Sequence, residues 1–369
     1  MTRRTVLAAP FLIGCGRQLA PRSSGWLFVA SATDRGIGVA DLASFHRVTT
    51  IPLPDKPGQV LQAGGRVFVS CPEARALCEI DPQGLRVTGR IQLAGVIVGC
   101  AVTPGGDRIV VVTDQPAAIL SIDPASRRVV TRLPLDDQPI ALDAAKDLVA
   151  VSTARGSLVR ASLSEGKVLG ATPLGMPCKV VRFRPDGKSI LLGAASGKQM
   201  MTVDAASGQL LARLPLALVP ARFCFTSNDN GGQMFVTGEG EDSIVIVSPY
   251  QSEVDQTIVA GRTPFGLATG VIGGQNLLFV TNPGSGDLTI FDIDTRRLAA
   301  SVHVGGNPGE VLLTPDQDYA LVINRDSGDV AVVRLSTVLD HKVKTKPLFT
   351  VFPTAASPQS AAIIPKGRA

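Results

Sequence analysis

A single spacing decides what this chain can become. Short apolar stretches of one flavour begin at Leu27 (LFVAS), Val67 (VFVSC), Ile109 (IVVVT), Leu148 (LVAVS), Ile190 (ILLGA), Met234 (MFVTG), Leu278 (LFVTN) and Ala320 (ALVIN), at intervals of 40, 42, 39, 42, 44, 44 and 42 residues. Intervals this even across a 369-residue chain mark copies of one supersecondary unit, not a run of unrelated domains. In each copy a turn leads to a second apolar strand, such as AILSID from Ala118 or DLTIFDI from Asp287. An Asp-Pro or Ser-Gly type turn then leads to a third, such as RVVTRLPL from Arg128. A further strand precedes each copy of the first, as in KVVRFRP from Lys179 and EVLLTP from Glu310.

Four strands in roughly 42 residues are one blade of a β-propeller. With strands lettered a to d from the centre outward, the chain enters at strand b, because nothing ahead of Leu27 reads as strand a. The missing strand stands at the other end, as Ser360-Ala361-Ala362-Ile363-Ile364-Pro365, so a C-terminal strand is expected to join the first blade and close the ring. The reading is all-β: one propeller over residues 26–365 with a short tail, 366–369. Eight blades are expected, or seven if the weakest copy, Leu148 to Leu174, is irregular. Composition agrees, since 45% hydrophobic against 18% charged residues allows a large core, and 38 glycines with 26 prolines supply the turns.

Phe279-Val280-Thr281-Asn282, with Phe235-Val236-Thr237 and Val322-Ile323-Asn324 as variants, resembles the Tyr-Val-Thr-Asn repeat of bacterial YVTN-family β-propellers, which include YncE-like proteins. The resemblance spans Gly25 to Pro365. It implies the fold and names no activity, because such repeats occur in surface-layer proteins, lactonase-like enzymes, haem d1 propellers and binding proteins.

Ahead of the repeats, Arg3-Arg4 precedes an apolar run too short to span a bilayer. The pair resembles a twin-arginine export signal, and Leu12-Ile13-Gly14-Cys15 resembles a bacterial lipobox. Together they imply a cleaved signal over 1–14, lipidation at Cys15, a tether over 15–25, and a membrane-anchored protein of the periplasm or cell surface. Gly16 in place of a retaining aspartate slightly favours the outer membrane. Of the other cysteines, Cys71 and Cys78 alone are close in sequence and could form a cross-strand disulfide in an oxidising compartment; Cys100, Cys178 and Cys224 read as buried thiols.

The strand a entries share a proline: Pro57, Pro139, Pro177, Pro220, Pro264, Pro308 and Pro358. Proline at a strand's first residue costs no ladder bond. The second residue after each should face the channel mouth: Gln59, Ala141, Lys179, Arg222, Gly266, Glu310 and Ser360. Lys179 and Arg222 come from adjacent blades and favour an anionic ligand, unless they pair with acids of the b-to-c loops such as Glu239, Glu241 and Asp242. Those loops add Asn282, Asn324 and Arg325, although asparagine there also caps turns through its own side chain.

Other classes fit less well. His46, His303 and His341, the three histidines, fall away from strand a, which disfavours a haem ligand, a catalytic base or a His/Cys metal cluster. A calcium site needs several inward carboxylates, and Glu310 is the one acid among the mouth positions. One tryptophan, Trp26, does not supply the repeated motif of quinoprotein dehydrogenases. A net charge of +5, two units of which lie in the leader at Arg3 and Arg4, and 4% aromatics give single-stranded DNA little to bind. The three lysines within 340–346 read as a solvated excursion between strands c and d of the last blade. The expectation is a monomeric binding module without cofactor or metal, engaging a small anionic ligand or an envelope protein. A lactonase-like hydrolase using the channel is the alternative, and a haem d1 role ranks below it.

Overall fold

The computed structural model describes residues 24–227, 231–339 and 346–366. The expected signal, Cys15, most of the tether, His341, two of the three excursion lysines and residues 367–369 lie outside the described residues.

Eight four-stranded antiparallel sheets form, and each runs in chain order from the centre outward, except at the seam. There the final strand, Pro358–Pro365, becomes strand a of blade 1 and pairs with Gly25–Ser31 from Gly25↔Pro365 through Trp26↔Ile364 to Ala30↔Ser360. Blade 4, the copy whose regularity was in question, is a complete sheet of Pro139–Ala144, Leu148–Thr153, Ser157–Ser162 and Lys167–Pro173. The count is therefore eight.

Burial follows strand position. Strands b and c pack between neighbouring blades on both faces, so they read as unbroken apolar runs, as in Ile109–Asp114 and Ala118–Asp123. Outer strands such as Arg86–Gln92 and Arg128–Pro134 are exposed except near their ends. Eight apolar clusters result, each built from two adjacent blades; Leu277, Phe279 and Ile290 of blade 7, for example, pack with Ala320, Val322 and Ala331 of blade 8. The scarce aromatics are spent here, with Phe28, Phe68, Phe235 and Phe279 fully buried at one repeat position of strand b.

Polar clamps also cross between blades. Glu79 of blade 2, 5% exposed, meets Arg66 at 2.7 Å and the Arg127 guanidinium of blade 3. Arg160 of blade 4, 6% exposed, donates to the carbonyls of Ala205, Ala206 and Ser207 at 3.0, 2.6 and 2.9 Å, holding a turn of blade 5. Both arginines around Glu79 reach solvent and can rehydrate, so Glu79→Ala should cost about 1–3 kcal/mol, less than a fully buried pair. A lower urea midpoint with an unchanged slope would show this.

Cys71 stands opposite Ala76, and Cys78 opposite Val69, so the two are diagonal neighbours, and their thiols meet in a hydrogen bond with no disulfide between them. Both residues are buried free thiols. His46 opens outer strand His46–Pro52 of blade 1, away from strand a. Between strands c and d of blade 8 the excursion begins as a short helix, Leu335–Leu339, whose Leu335 and Val338 join the core.

Candidate channel-mouth site

All eight strand a segments face a central cavity of about 700 Å³. Gln59, Ala141, Lys179, Arg222, Gly266 and Glu310 line it, as the proline spacing predicts; in blade 1 the lining residue is Ala361 and not Ser360. Bulges interrupt strand a near its start in blades 1, 3, 4, 5, 6 and 8, re-aiming side chains at the mouth.

The predicted residues do different things. Lys179 is paired, its Nζ 2.7 Å from Glu239 Oε1. Gln59 accepts the Cys100 amide through Oε1 at 2.8 Å and ties blade 2 to blade 3. Asn282 and Asn324 are corrected: both are fully buried and neither lines the cavity. Asn282 Nδ2 donates to Thr289 Oγ1 at 2.7 Å while its Oδ1 accepts the Gly261 amide at 3.0 Å. Asn324 Nδ2 donates to Val304 O at 2.8 Å and Asp329 Oδ1 at 2.7 Å. They hold the b-to-c turns.

Arg222 stands apart. It lines the cavity and its Nε is buried without a hydrogen-bond partner; among the described residues no carboxylate forms a salt bridge with it. Its guanidinium carbon lies 4.0 Å from the Phe265 ring centroid, and that of Arg325 lies 4.1 Å from the same ring. Desolvation and the repulsion of Arg325 and Arg182 press the Arg222 pKa down, with Glu310 opposing. Glu310 accepts the Ala361 amide at 2.9 Å, and burial raises its carboxyl above the usual glutamate range despite the nearby arginines. Between these two blades lies Gly266, where a Cβ would fall 2.2 Å from the Gly309 carbonyl, so this position of blade 7 carries no side chain.

Deeper in the channel lie two charges the proline spacing did not reach. Asp143 accepts the Phe183 amide at 2.8 Å and is raised by burial, and Arg182 stands 3.7 Å from it with about half its side chain exposed. The register explains the omission. Ala141, Val180 and Arg222 face the equivalent strand b residues Ser152, Gly193 and Thr237, which makes Lys179 a bulge residue one place early. Two residues further, Asp143, Arg182 and Cys224 share one level of adjacent blades. Strand alternation from Ala141 alone would have found Asp143; the shifted bulge of blade 5 hides Arg182.

The channel therefore offers Arg222, its Nε unpartnered, on the blade next to that of Arg182, which pairs with Asp143 at 3.7 Å; Glu310 and Asp143 stand on blades 8 and 4, opposite one another in the ring. Among the described residues no histidine lines it, and Cys100 and Cys224 are held as thiols by burial, at pKa values of about 12 and about 11. Among the described residues no group of three His, Cys, Asp or Glu side chains is arranged to hold a metal ion.

Fold and site together define an eight-bladed propeller with a partly basic channel. No family model and no curated protein matches the sequence. Among solved structures, the chain is similar to a dihydro-haem d1 dehydrogenase, NirN, in complex with DHE, at TM-score 0.77 and 16% identity over 91% of this chain and 74% of that one. It is similar also to apo AztD from Citrobacter koseri, at TM-score 0.70 and 13% identity over 94% of this chain and 100% of that one. At such identities the likeness is one of fold.

Proposed function

We propose that the chain is an exported, lipid-anchored propeller that binds a small anion in its channel mouth. The observation that carries this reading is Arg222: a desolvated guanidinium facing a cavity with its Nε unpartnered. Buried donors are ordinarily satisfied, and a guanidinium offers planar donors that match carboxylate or phosphate. Arg182 extends the same wall. A hydrolytic reading needs convergent acid and base groups, and the two channel carboxyls with raised pKa stand on opposed blades. A haem d1 role, raised by the likeness to NirN, finds no histidine in the channel among the described residues.

The test is a thermal-shift panel of sulfate, pyrophosphate, citrate and neutral lactones. At a hundredfold excess over Kd a bound ligand stabilises by roughly 2.7 kcal/mol. Shifts confined to the anions support the reading, and a shift with lactones alone would move it to the hydrolase.

Glu310 should set the pH dependence. Its folded pKa is raised, so as pH falls through that value it loses its charge and ceases to repel an anion near Arg222. Anion affinity should therefore rise as pH is lowered toward the ordinary glutamate range. Glu310→Gln should bind severalfold tighter at neutral pH and show a flatter profile, measured by titration calorimetry across pH.

A further inference from the structure

The outermost strands carry an uneven charge. Across blades 1 to 5 they contain seven basic residues, Arg47, Arg86, Arg90, Arg128, Arg132, Lys167 and Arg213, and no acidic one. Blade 6 instead carries Glu253 and Asp255 on its outer strand, and blade 7 a single arginine, Arg297. The arc is densest in blades 2 and 3, with two cations each, where exposed apolar side chains, present on the other outer strands too, stand among the cations: Val87 at 37% exposure, Val129 at 40% and Val130 at 51%. Turn carboxylates Asp81 and Asp123 lie at one end of these strands, opposite Arg86 and Arg128; Arg90 and Arg132 stand four residues further along. Lys167 pairs with Glu165 at 2.5 Å. Basic residues on an edge strand hinder edge-to-edge pairing, yet that need applies to all eight blades and does not account for one arc.

From this charge pattern, and resting on the lipid-anchored reading above, we propose that the rim of blades 2 and 3 is a membrane-facing surface that rests on anionic lipid headgroups. Arginines interleaved with exposed valines suit an interface that is anionic at the headgroups and apolar beneath them. Chain connectivity is consistent: from the expected acyl site at Cys15 to Gly25, the first residue of blade 1, ten residues reach at most about 35 Å. A lipid anchor within that distance of blade 1 brings the neighbouring rim to the bilayer. One acyl attachment holds weakly alone, and a basic patch is the usual second contact.

The test uses the chain from Gly16 onward, which holds every strand of the ring and no acyl group, with vesicles of phosphatidylglycerol and phosphatidylcholine in equal parts or of phosphatidylcholine alone, sedimented at low salt. Binding to the first vesicles and not the second is expected. The triple variant Arg86→Glu, Arg128→Glu, Arg132→Glu should lose at least tenfold in partitioning, since each cation removed near such a surface costs about fivefold. Arg297→Glu on blade 7 should change it less than twofold. Circular dichroism checks that the variants are folded. As an independent readout, Val130→Trp should blue-shift on adding anionic vesicles while Leu298→Trp, on blade 7, should not. Equal binding to both vesicles, unchanged partitioning of the folded triple variant, or the same shift at both tryptophans would overturn the proposal.

Discussion

A chain ended at Ser357 should fail to form a closed disc. It lacks Pro358–Pro365, and strand Gly25–Ser31 then presents an unpaired edge along its whole length. The lost strand contributes buried Ile364 and Ala361 to the clusters on either side of blade 1. Burying an isoleucine contributes about 2–3 kcal/mol and each ladder hydrogen bond about 0.5–1.5 kcal/mol. The sum is comparable with the whole stability of an ordinary domain, about 5–15 kcal/mol. The truncated chain should therefore elute as aggregate in size exclusion and show no cooperative melt. A cooperative monomeric transition near that of the intact chain would show that the seam is dispensable.

The second large effect concerns binding without stability. Arg222→Met should weaken anion affinity about 100-fold, or roughly 2.7 kcal/mol, the scale of one lost bidentate charge-assisted contact. Folding should change by no more than about 1 kcal/mol. The substitution loses stacking on Phe265, a contact of about 0.5–2 kcal/mol, and the attraction of Glu310, and at the same time removes a desolvated charge that forms no salt bridge among the described residues. Arg325 keeps its place over the same ring. Paired melts and titrations separate the two quantities; a collapse in melting temperature with the loss of binding would make Arg222 a structural residue.

Much of this architecture is legible in the sequence because a repeat states its own period. The eight strand b starts, the absent strand a before Leu27 and its replacement at Ser360–Pro365 specify the ring and its seam without any long-range inference. The site is legible only in part. Proline marks where strand a begins, and that placed Arg222 and Glu310 correctly. In blade 5 it also reached the mouth, at Lys179, but the bulge puts that residue one place before the register position of Arg222 and lets it pair with Glu239. Asn282 and Asn324 lie at the right end of strand b but point into the turns they cap, a choice made by local hydrogen bonding. The stacking of Arg222 and Arg325 on Phe265 joins three blades, and no spacing within a single copy encodes it.

The most direct test of the channel as an anion site needs no knowledge of the natural ligand. Crystals soaked in bromide would give an anomalous difference map in which the account predicts a strong peak inside the channel, within hydrogen-bonding reach of the Arg222 guanidinium and toward Arg182. Bromide found only on the outer surface, with none beside Arg222, would contradict it.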